Sequence, residues 1–137
     1  MNRLTLKYEL DLDFVLIAIT SQLKDYLLCF KLNRQLHINF SKNDDLLIDT
    51  NQGILLFSMY HYQIPESETN LYLLTNKGDQ AYLIPEMKTI DFFILIRNYI
   101  SFEELEELID KINKMPDVVA AIEVDPKRLK SKENLIF

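Results

Sequence analysis

Two carboxylates, Glu86 and Asp91, stand five positions apart across Met87-Lys88-Thr89. On one turn such a pair supports three kinds of chemistry. It can pass a proton between an acid and a base, hold a hard cation through oxygen ligands, or accept backbone N–H groups and fix the turn. No third ligand and no histidine lies nearby in sequence, so the residues favour turn fixing and leave the other two open. His37 and His61 are far apart and Cys29 is the one cysteine, which gives no zinc spacing. There is no Gly-x-Ser-x-Gly elbow. The two glycines, Gly53 and Gly78, each fall in a polar turn. That rules out glycine-rich phosphate loops and the dinucleotide fingerprint. No cofactor is expected, and no catalytic residue is assigned.

The elements that must position these carboxylates follow from periodicity. Ala81–Ile84 reads as the end of a strand, closed by Pro85, which has no N–H to donate. From about Thr89 a new strand begins, with Ile90, Phe92, Ile94 and Ile96 alternating with Asp91, Phe93, Leu95 and Arg97. Apolar on both faces, it suits a central strand covered on both sides. Upstream, Leu4–Phe14 alternates cleanly; a break near Asp11–Asp13 divides it into a strand at about Arg3–Leu10 and a second segment, Phe14–Thr20, strand or first helical turns. Ser21 is the expected N-cap of a helix through Leu36, with Leu23, Leu27, Phe30 and Arg34 along one face and Tyr26, Leu28 and Leu32 widening the apolar stripe. Four antiparallel strands follow at Leu46–Asp49, Ile54–Tyr62, Leu71–Thr75 and Gln80–Ile84. Glycine-containing hairpin loops join them in pairs, at Thr50–Gly53 and Asn76–Asp79.

Downstream, Ser101 and Glu104 spell a capping box. The helix they start carries Phe102, Leu105, Leu108, Ile109, Ile112 and Met115 at helical spacing, carboxylates at its N-terminus and lysines near its end. Val118–Val124 returns as a strand. The expectation is one α+β domain over 1–125, with a mixed, mostly antiparallel sheet, two helices and a C-terminal βαβ unit. If Phe14–Thr20 is a strand, a decorated ferredoxin-like arrangement results.

With 137 residues, 48% of them apolar and 11% aromatic, the chain suits one domain with an adequate core. Its net charge of −6 argues against nucleic-acid binding, which needs basic surface. Residues 126–137 form a basic tail, with Lys127, Arg128, Lys130 and Lys132 against Glu133. The tail ends in Leu135-Ile136-Phe137, either docked on the body or offered to a partner. No long apolar run suggests a membrane span, the N-terminus lacks an apolar signal core, and a lone cysteine suits a reducing cytoplasm.

The segment Ile84-Pro85-Glu86 … Ile90-Asp91-Phe92 resembles the signature of the bacterial IPExxxVDY family. Ile84, Pro85, Glu86 and Asp91 match, Ile90 replaces valine and Phe92 replaces tyrosine. The likeness extends to Leu23-Lys24-Asp25-Tyr26 and to Leu129–Phe137. The loss of the tyrosine hydroxyl removes any chemistry it would supply, and the family carries no assigned activity. The resulting expectation is a cytoplasmic, non-enzymatic interaction or self-association module, a homo-oligomer or a binder of a protein partner. The alternative is a small-molecule-binding regulatory domain with a turn site at Glu86 and Asp91.

Overall fold

A computed structural model describes residues 13–137; the strand expected at Arg3–Leu10 lies outside the described residues. The chain runs β1 (Phe14–Ser21), α1 (Asp25–Leu36), β2 (Ser41–Lys42), β3 (Leu46–Thr50), β4 (Gly53–Phe57), β5 (Met59–Gln63), β6 (Asn70–Thr75), β7 (Phe92–Arg97), α2 (Phe102–Asn113) and β8 (Val118–Val124). Two short 3-10 turns, Pro126–Arg128 and Lys132–Leu135, complete it. Phe14–Ser21 is thus a strand.

Six strands form one sheet in the order β2-β5-β6-β7-β1-β8, and β3 and β4 form a separate hairpin. Every named pair is antiparallel. The expected βαβ unit, β7-α2-β8, is present with β1 inserted between its two strands. β1-α1-β6 is likewise split, by β7. Two interleaved split units in the order β8-β1-β7-β6 make the ferredoxin-like arrangement; β5, β2 and the hairpin decorate it. The fold is α+β.

β7 is central, and Phe93, Ile94 and Leu95 are wholly buried. Ile94 and Ile96 pack with Ile17, Ile19, Leu28, Leu32 and Ile112 beneath the helices. Phe93 and Leu95 pack on the other face with Leu16, Phe57, Leu83, Ile84, Leu129 and Leu135. A helix layer therefore covers one side, and the hairpin, the segment between β6 and β7, and the tail cover the other.

Several local expectations are corrected. Ser21 ends β1 and is not the helix cap: its N–H is taken by Asp91, its hydroxyl donates to Asp117 O, and its Oγ accepts Leu23 N–H ahead of the helix. Helix α1 starts instead after Lys24, without a side-chain cap. Of the apolar stripe, Leu28 and Leu32 are buried, together with Cys29, whereas Tyr26, Leu27 and Phe30 face outward. Packing with Ile17 and Ile19 of β1 selects the Leu28–Leu32 edge of the stripe. Ile54–Tyr62 is not one strand. It breaks at Ser58, whose N–H donates to Thr75 Oγ1 at 3.0 Å and whose carbonyl accepts Thr75 N–H at 3.1 Å, so β4 leaves the sheet that β5 joins. Gln80–Ile84 is no strand either, since only a single bridge joins Lys77 and Tyr82. α2 has its complete capping box, but Phe102 is exposed rather than part of the buried stripe.

Candidate functional site

Asn76 organises the region around the two carboxylates. It is wholly buried and uses both ends of its amide. Its Nδ2 donates to Met87 O at 2.9 Å and Ile90 O at 2.8 Å, and its Oδ1 accepts Ile84 N–H at 2.8 Å. Its backbone N–H donates to Asp91 O at 2.9 Å, and its carbonyl accepts Leu83 N–H at 2.7 Å. A buried amide matched at every position both orders the chain and forbids alternatives, because each group left unpaired costs about 1–3 kcal/mol. The segment from Leu83 to Asp91 is therefore wound around one side chain. Pro85 fits there because nothing asks it for an N–H.

The structure separates Glu86 from Asp91 in role. Asp91 Oδ2 accepts the Ser21 backbone N–H at 2.8 Å, and Asp91 N–H donates to Ile19 O at 2.9 Å, so the residue clamps the end of β1. Its other oxygen meets Lys77 Nζ at 2.7 Å. That hydrogen bond and the attraction of the carboxylate push the Lys77 ammonium up from its ordinary value. Glu86 faces the tail: Ser131 N–H donates to Oε2 and Ser131 Oγ–H to Oε1, each at 2.8 Å. Burial pushes the Glu86 carboxyl up, but the Ser131 hydrogen bonds outweigh it and hold the group below its ordinary 4.5. Ile84 and Ile90 are buried in the core, as is Phe92. At position 92 a phenyl ring beneath the helices fills space where a hydroxyl would need a partner.

The tail docks on the body. Leu129 and Leu135 are buried with the lower core, and Asn134 Nδ2 donates to Leu83 O at 2.9 Å. Ile136 is partly covered. Phe137 stacks edge-on against Tyr72 with ring centroids 5.2 Å apart, and Arg97 lies over both rings and donates to Phe137 O.

Asp91 and Lys77 line a polar cleft of about 380 Å³ with Ser21, Lys24, Asp25 and Thr75, at the N-terminus of α1. A more apolar groove of about 420 Å³ runs between the helices and β5–β6, with Leu36, Tyr62, Ile64, Ile100 and Leu108 among its walls. Cys29 is buried, and burial together with the nearby Asp25 pushes its thiol up, so it is a core residue and a poor nucleophile. Tyr60 donates to Asp25 Oδ2 at 2.9 Å; burial and that bond push its phenol upward. His61 Nε2 pairs with Asn70 Oδ1 at 2.6 Å, and its ring tilts against Tyr72. Among the described residues no group of three or more His, Cys, Asp or Glu side chains is placed to hold a metal, and no helix is long and apolar enough to cross a membrane.

Asn76, Lys77, Ser131 and Asn134 escape sequence reasoning. Asn76 and Lys77 sit in a stretch that reads as a hairpin loop, and the two tail residues lack any periodic signal. Compared with known protein families, curated proteins and solved structures, the chain matches none.

Proposed function

We propose that the protein is a non-enzymatic interaction module and a member of the IPExxxVDY family, carried by Ile84, Pro85, Glu86 and Asp91. The observation behind the interaction role is the outer face of α1. Tyr26, Leu27 and Phe30 lie there exposed, Phe30 at 54% and Tyr26 at 63%. Exposed aromatics grouped on one helix face suit recognition, since large rings anchor protein contacts at low entropic cost. The family-motif residues are spent on internal bonds, which supports an architectural role for them. The tail, with Leu135 in the core, is the less available surface.

The test is a Tyr26→Ser/Phe30→Ser variant, compared with the native chain in sedimentation velocity and in pull-down with its own lysate. The variant is expected to keep its melting temperature and lose association. A native chain that forms no complex with itself or any partner would overturn the module reading.

A second reading, a regulatory small-molecule site, is favoured by the polar cleft at Asp91 and Lys77. Its site then excludes Glu86, which is engaged by Ser131.

A further inference from the structure

Among the described residues β8 is an edge of the six-stranded sheet, paired with β1 on one side and with no strand on the other. Its sequence, Val-Val-Ala-Ala-Ile-Glu-Val, holds one charge and neither proline nor glycine. An apolar run of that kind at a sheet edge is a template for a strand from another chain, because its outward N–H and C=O groups offer a ready ladder. Val119 and Ile122, 73% and 53% exposed, add apolar surface there.

The middle of that edge is already taken. Ala121 N–H donates to Asn113 Oδ1 at 2.8 Å, and Asn113 Nδ2 donates to Ala121 O at 2.9 Å. A side-chain amide carries the same donor and acceptor as a peptide group, so Asn113 meets Ala121 as a residue of a further strand would. Asn113 is the last residue of α2, and Ile112 and Met115, both buried, hold that helix end against the sheet. Alternation along β8 turns the backbone groups of Ala121 and Glu123 away from β1 together. Opposite Thr20 and Ser21 the register skips Val119, a bulge that interrupts the regular edge just before Ala121. A strand adding to β8 would need the Ala121 groups in the middle of its ladder, and they are spent.

We infer that Asn113 is a strand plug, a side chain that closes the β8 edge of the sheet to strand addition by other chains. The opposite edge is blunted by different means. There β2 spans only Ser41 and Lys42, and a very short edge strand carrying an exposed lysine is a poor template. β8 is longer and more apolar, so its protection has to come from outside the strand, and the end of α2 supplies it. The plug goes beyond the helix-face reading and does not rest on it: it limits association through the sheet, whatever α1 binds.

Sedimentation velocity at about 100 μM, well above a micromolar Kd, compares the native chain with Asn113→Ala and Asn113→Ala/Ile122→Lys, and circular dichroism checks that each is folded. Asn113→Ala bares both backbone groups of Ala121. It should form heavier species than the native chain, associating about tenfold more tightly or better. Ile122→Lys puts a charge on the bared edge. Two copies paired antiparallel through Ala121 would set these lysines at diagonal positions, where like charges repel, so the double variant should return to the native mass. Asn113→Ser, whose hydroxyl can meet only one of the two groups at a time, replaces Asn113→Ala if that chain does not fold. A side chain that merely ties helix to strand would lose stability and gain no association. A folded Asn113 variant with the mass of the native chain therefore overturns the plug. Association that Ile122→Lys leaves unchanged overturns it too, since the contact would then lie elsewhere than on β8.

Discussion

Glu86 shows how one carboxylate of the motif can act at a distance of forty-five residues. Its two oxygens hold the Ser131 N–H and hydroxyl, and those bonds favour the charged form over the burial that opposes it. A folded-state value below the unfolded one means that the clasp contributes at pH above the unfolded value. It is lost as pH falls through the folded value, hence below 4.5. In an NMR titration the Ser131 amide shift should move with a midpoint under 4.5, and the movement should vanish in Glu86→Gln. A midpoint at or above 4.5 would show that Ser131 does not hold the charged form. Asp91 plays the corresponding part at β1, with the Ser21 N–H as its partner.

At the scale of elements, the legible parts of the sequence are those in which periodicity and capping act locally. The strand from Phe92 to Arg97 shows its double burial through five apolar residues in a row, and α2 announces itself through Ser101 and Glu104. α1 was harder to read. The apolar residues spread from Leu27 and Phe30 round to Leu28 and Leu32, and only packing against β1 decides that Leu28, Cys29 and Leu32 go inside. Neither glycine turn could be told from the other in sequence, yet they differ physically. Gly53 has φ of 126°, a conformation that side chains resist. Gly78 is held by a close approach: a Cβ there would lie 2.9 Å from the Phe57 ring and 3.1 Å from Ala81 O. Gly78→Ala should therefore cost about 1–3 kcal/mol by overpacking, read from urea unfolding. Phe57→Leu in the same chain should return part of that loss. Strict additivity of the two changes would contradict the contact.

Across the whole molecule, the layer opposite the helices joins the separate β3–β4 hairpin to two pieces without strands or α-helix, the segment before β7 and the tail. Those two pieces leave no periodic trace in sequence because side-chain hydrogen bonds hold them, and their partners lie far away along the chain. Asn76 joins β6 to the motif, the motif joins the tail through Glu86, its neighbour Leu83 accepts from Asn134, and the tail returns Leu135 to the core. The architectural reading of the motif rests on this chain of contacts. The most direct measurement is the unfolding free energy of Asn76→Asp at neutral pH. The change keeps the size of the side chain but sets a carboxylate oxygen against the Met87 and Ile90 carbonyls, which Nδ2 meets at 2.9 and 2.8 Å. A loss of about 3 kcal/mol or more is expected, given two buried acceptors stripped of their donor. Stability within about 0.5 kcal/mol of the native chain, the range of an ordinary surface substitution, would contradict the claim that this amide holds the motif in place.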